Sequence, residues 1–169
     1  MTTDVRRRPD RRIRALQGST RVIVIATIAA FALVPLLAAF GAWRDGWEPT
    51  GDAAIIGVRS LDAWTGDAPL VGQPTTGDSY ADVSSFHPGP VEYWLVGPFV
   101  HVAGPSLGMP LAVALVNAAA LAGVMWVAFR RGGPVLLAIV ALLTAALIRG
   151  IGAASLYDPF NSELATYPM

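Results

Sequence analysis

Three long apolar runs set the plan of this chain, and the polar stretches between them carry whatever chemistry it has. Residues 22–43 read VIVIATIAAFALVPLLAAFGAW and contain no charged side chain. Residues 109–129 repeat that character, and residues 134–156 do so with a single interruption, Arg149. Each run has the roughly 20 residues that take an α-helix across a hydrocarbon core of ~30 Å. Pro35 predicts a kink rather than a stop, because neighbouring helices can satisfy the carbonyl it frees. A cleaved signal peptide would show a shorter apolar core of about 7–15 residues, so the first run reads as a retained anchor. The pattern therefore predicts an all-α integral membrane fold: three transmembrane helices, a long loop over residues 44–108 and a tight turn at 130–133.

Within the loop the periodicity changes. In residues 52–64, DAAIIGVRSLDAW, apolar Ile55, Ile56, Val58, Leu61 and Trp64 recur at spacings of roughly three and four. This predicts a short amphipathic helix with Asp52 at or near its N-cap and Arg59 and Asp62 on the polar side. Residues 65–85 are rich in Gly, Pro and Asp and predict turns. Residues 91–103 are apolar again but too short to cross, and they include Glu92, Pro98 and His101. Tyr93, Trp94 and Phe99 suit the headgroup region, so this stretch reads as an interfacial helix on the outer leaflet, with a re-entrant piece as the alternative. Residues 104–108 separate it from the second span. Asp78, Asp82 and Glu92 read as solvated or interfacial charges.

Composition agrees with the pattern: 54% of the 169 residues are hydrophobic and only 14% charged. With no cysteine, disulfides and thiolate metal sites are excluded. All twelve basic residues are arginine, which fits codon bias better than phosphate binding. The zero net charge hides an asymmetry. Residues 1–21 hold seven arginines against Asp4 and Asp10, whereas residues 44–104 hold Arg44 and Arg59 against six Asp and two Glu. An arginine-rich tail beside a span marks the cytoplasmic flank rather than a nucleic-acid site. The tail and the Arg130-Arg131 turn then face the cytoplasm, as expected of a multi-pass plasma-membrane protein. The acidic loop 44–108 and the C-terminal segment 157–169 face outward. Asp52 and Asp158, far apart in sequence, are thereby expected on one surface.

Two segments carry a family likeness. TGDAAIIGVRSL at residues 50–61 and FHPGPVEYWLVGPFVHVAG at 86–104 resemble the first outer loop of the GT-C superfamily of polytopic glycosyltransferases. The closing YDPFN at 157–161 is similar to the Asp-Pro-Trp-Asn-Pro element of many actinobacterial members, with Phe160 in place of Trp and Ser162 in place of the second Pro. The resemblance implies transfer of a sugar from a polyprenyl-phosphate donor to a cell-envelope acceptor on the outer face. It assigns Asp52 as the base and Asp158 as a supporting acid, and it admits a divalent metal. His87 and Arg149 are candidate contacts to the donor phosphate, and Tyr93 and Trp94, with Trp47, Trp64 and Tyr80, candidate stacking faces for sugar.

Each assignment has a plainer counterpart. Asp52 can cap its helix, Asp158 can start an Asp-Pro turn, and His87 can set an extended segment before Pro88. Arg149 can snorkel to headgroups, and aromatic rings are expected at any bilayer interface. No metal-ligand spacing, P-loop, dinucleotide fingerprint or nucleophile elbow is present. Members of the superfamily have many more spans, so the chain resembles an N-terminal portion, whether truncated gene, fragment or split subunit. As such it would need further spans or a partner for activity. The competing expectation is a non-catalytic three-span accessory or scaffold protein, or an inactive remnant.

Overall fold

The computed structural model describes residues 11–73, 86 and 90–159. The regular elements of the described residues are all helical, with no β-strand among them: α1 (Arg11–Arg44), α2 (Asp52–Asp62), α3 (Val91–Ala103), α4 (Pro105–Ile151) and a 3-10 turn (Ala153–Leu156). Two helices, α1 and α4, are long and apolar enough to cross a membrane. Helix α1 starts eleven residues ahead of the apolar run, at Arg11 rather than residue 22. Arg, Ala, Leu and Gln in residues 11–17 are good helix formers, and the helix runs on through Gly18, Ser19 and Thr20 without a break. It also runs through Pro35, which is buried.

Helix α4 is two helices joined at a corner. Gly132 (φ −136°) and Gly133 (φ 64°) leave helical geometry, and Pro134 opens the second limb. The positive φ at Gly133 suits a residue without Cβ, and proline is pre-set for a first helical turn. The first limb starts at Pro105 rather than 109. The second ends at Ile151 rather than 156, where Gly152 (φ 103°) diverts the chain into the 3-10 turn. Residues 104–108 are thus no linker. One residue, Gly104, makes the corner between α3 and α4, and Gly108 already lies in α4. A Cβ at Gly108 would collide with the carbonyl of Phe99 and stand 2.7 Å from the amide nitrogen of Val100, so this corner closes only over glycine.

Packing shows how the long helices run. Val24, Met125 and Leu137 form one buried cluster with Ile28, Phe129 and Ala141 around it. Leu121 and Leu156 form a second with Ala38 and Ile148, and Phe31 borders both. Ascending α1 thus accompanies descending positions on the first limb and ascending positions on the second, an antiparallel three-helix arrangement. A third cluster lies beyond, where Ile56 of α2, Ala63 just after it, and Tyr93, Val96 and Val100 of α3 pack on Met109 and Ala112 of α4. The Arg130-Arg131 corner is therefore at one end of the bundle, and α2, α3 and the segment leading to Asp158 are at the other. Around the bundle, large apolar side chains stand outward: Ile25 is 66% exposed and Leu142 72%.

Candidate functional site: an acidic cleft at one end of the bundle

The cleft is assembled from two chain reversals. After α1, the backbone turns through Gly46, and Trp47 N–H donates to Ala42 O. Ser106 Oγ donates to Glu48 Oε2 at 2.7 Å, tying this stretch to the start of α4. Gly51 (φ 54°) then starts α2 as its N-cap, and Asp52 is the first helical residue. The expected capping role for Asp52 is not seen: no side-chain hydrogen bond caps this helix. Its carboxylate instead accepts a hydrogen bond from Gln73 Nε2 at 2.9 Å. Lying in the first turn, it also meets the positive end of the helix dipole.

At the opposite reversal, Gly152 and the 3-10 turn bring Asp158 over the bundle end. The Asp158 and Tyr157 amides both donate to Ala154 O, at 2.8 and 3.1 Å, and Ser155 Oγ donates to Gly152 O at 2.7 Å. Thr50, Asp52, Ala53, Asp158 and Pro159 line a common cleft of about 240 Å³. Burial pushes the Asp158 carboxyl above the usual range. The neighbouring Tyr157 hydroxyl is also pushed up, first by burial and then by the charges of Asp158 and Asp45.

The other expected site residues are dispersed. Arg149 lies in the last turn of α4, which ends at Ile151. There it complements the negative end of the helix. It borders a groove of about 420 Å³ lined by Ala30, Phe31 and Val34 of α1 and Ala145 and Ile148 of α4, and no residue is shared with the acidic cleft. Tyr93 is 2% exposed within the α2–α3–α4 core, so no sugar face can reach its ring. Trp94 is half-buried, its ring meeting Trp64 edge-on with centroids 5.1 Å apart, and its carbonyl accepts from Trp64 Nε1 at 3.1 Å. The exposed ring of this pair is Trp64. Glu92, expected to be a solvated or interfacial charge, is half-buried, with Oε1 unpartnered and its carboxyl pushed by burial from 4.5 to about 7. His87, Tyr80, Asp78, Asp82 and Asn161 lie outside the described residues. Among the described residues no group of three or more His, Cys, Asp or Glu is placed to hold a metal ion.

Two residues that hold the cleft's acids or the segment beside them were not read from the sequence. Gln73 sits in a turn-rich stretch where nothing marks it as the partner of Asp52. Asn117 did leave a signal, since it is the one amide in the otherwise apolar run 109–129, and polar groups inside such runs tend to have a task. It is fully buried on α4, and Nδ2 donates to Leu156 O at 3.1 Å and more distantly to Ser155 O at 3.4 Å. In comparisons with protein-family models, curated proteins and solved structures, nothing matches this chain.

Proposed function

We propose that this chain carries the acidic cleft of a GT-C-like membrane glycosyltransferase, which moves a sugar from a polyprenyl-phosphate donor to a cell-envelope acceptor on the outer face. The observation that carries the reading is the meeting of Asp52 and Asp158, more than a hundred residues apart, in one cleft at the bundle end away from Arg130-Arg131. Three spans follow if each limb of α4 crosses separately. At 1.5 Å per residue, residues 134–151 extend about 27 Å, close to a hydrocarbon core. Lipid is then the medium that covers the outward Ile25 and Leu142. The positive-inside bias turns the arginine corner to the cytoplasm and the acids outward.

In this reading Asp52 takes the proton of the acceptor hydroxyl while that oxygen attacks the anomeric carbon. The bond from sugar to phosphate breaks, and the polyprenyl phosphate leaves with its electron pair. Gln73 holds one oxygen of the Asp52 carboxylate and so orients the base. Asp158, more readily protonated than an ordinary carboxyl, can donate a hydrogen bond to the acceptor or to the departing phosphate. Among the described residues the cleft offers two carboxylates, Asp52 and Asp158.

The test is sugar transfer from a labelled polyprenyl-phosphate donor in membranes of cells whose chromosomal copy encodes Asp52→Asn. Loss of a general base predicts a fall of about a hundredfold or more at unchanged protein abundance. Undiminished transfer removes Asp52 from the chemistry. The accessory-protein reading draws on the outward apolar face of α2, where Ile55, Val58 and Leu61 are exposed. It predicts instead that polar substitutions on that face abolish function while Asp52→Asn is silent.

A further inference from the structure

We infer that Asn117 is a positioning residue which, through the Leu156 carbonyl, holds the Asp158 segment in the cleft facing Asp52. The segment is tightly tied within itself, by Ser155 Oγ to Gly152 O and by the Tyr157 and Asp158 amides to Ala154 O. Those bonds fix its shape but not its place. To the first limb of α4 it is joined by the packing of Leu156 on Leu121 and by the Asn117 amide. Packing is non-directional, whereas the amide donates along a set direction to a carbonyl two residues before Asp158.

The amide's own accounting supports a donor role. Asn117 is fully buried, and its Oδ1 finds no partner. A leucine, with the same branched heavy-atom skeleton, would avoid that cost, which burial of an unpaired acceptor makes substantial. Two carbonyl acceptors on one side fix which end of the amide points there, because only NH2 can donate to both. The side chain thus spends an unsatisfied oxygen to present two N–H groups to the segment below Asp158. The position is also upstream of the chemistry: Asn117 lines neither the acidic cleft nor the Arg149 groove.

That this placement matters for transfer rests on the glycosyltransferase reading, but the placement itself can be measured without it. The chain has no cysteine, so Thr50→Cys with Pro159→Cys puts a unique thiol pair across the cleft. A short bifunctional maleimide then reports how often its two sides meet, in the full chain in membranes. Relative to the parent pair, Asn117→Leu is expected to cut the cross-linking rate about tenfold, in line with loss of a buried, oriented hydrogen bond. Asn117→Asp supplies the discriminating readout. Its neutral carboxyl can donate one O–H to Leu156 O, whereas its carboxylate cannot donate and faces two carbonyls. Cross-linking, referred to the parent at each pH, should therefore approach the parent at low pH and fall as pH rises. A role in packing alone gives no such profile. If Asn117→Leu does not accumulate, the Asn117→Asp profile decides alone. Parent-level cross-linking in Asn117→Leu, or a pH-independent Asn117→Asp, overturns the inference. In the transfer assay, Asn117→Leu should lower kcat with little change in donor KM. Lost cross-linking in a chain whose parent transfers no sugar leaves the positioning role standing and removes the transferase reading.

Discussion

At the scale of single residues, the useful distinction is between charges whose surroundings use them and charges whose surroundings resist them. Asp52 is used: Gln73 donates to it and the start of α2 favours it. Glu92 is resisted, half-buried in the first turn of α3 with Oε1 unpartnered and its carboxyl raised from 4.5 to about 7. A carboxyl raised in the folded state binds its proton more tightly there than in the unfolded chain. Stability is then highest while both forms are protonated and falls as pH climbs from about 4.5 through about 7. Glu92→Gln should flatten that slope and, at pH 8, stabilise the protein by about 1–3 kcal/mol once solvent screening is allowed for. Thermal unfolding in detergent at pH 5 and pH 8 reads it, and an unchanged slope would mean the carboxyl is well solvated. This carboxyl was not legible in the sequence as buried. VEYW sits at a polar-to-apolar boundary, and only the fold of α3 onto α2 and α4 decides on which side of it Glu92 lies. Gln73 was illegible for a similar reason, since its partner is set by loop closure rather than by any local period.

At the scale of elements the sequence was more informative, and the differences between apolar runs and helix ends are local. Periodicity located α2 and gave α3 its bounds at Val91–Ala103, because amphipathic or apolar spacing is a local property. Helix ends depart from the edges of the apolar runs where backbone geometry rather than polarity sets them. Helix α1 is already formed ahead of the apolar edge, through Gly18, Ser19 and Thr20, and Gly152 ends α4 although apolar residues continue beyond it. The α3–α4 corner is the sharpest instance. Two glycines four residues apart suggested a linker, yet Gly104 alone turns the chain and Gly108 is there for clearance. Gly108→Ala should therefore cost about 1–3 kcal/mol, because its methyl meets backbone that cannot rotate away. Gly123→Ala, with nothing within 4 Å of the added methyl, should be neutral or slightly stabilising. Comparing the midpoints of thermal unfolding of the two variants tests this, and equal midpoints would mean the corner opens at little cost.

At the scale of the whole molecule, three buried clusters stacked from Val24 to Tyr93 give the chain a direction. Arginines collect at the Gly132-Gly133 corner, and Asp45, Asp52 and Asp158 collect at the far end. That polarity was legible from charge counts and the alternation of apolar runs, whereas the meeting of Asp52 and Asp158 in one cleft required the turns at Gly51 and Gly152. The account stands on this polarity being the polarity of the membrane. Single cysteines in the cysteine-free chain test it directly, at Thr50 and Ala153 on the acidic end and at Arg131 on the corner, with a membrane-impermeant maleimide applied to intact cells. The account predicts that Thr50→Cys and Ala153→Cys are labelled from outside, and Arg131→Cys only after the membrane is opened. Labelling of Arg131→Cys in intact cells, with the acidic end protected, would contradict it and place the cleft where no outer-face acceptor can reach.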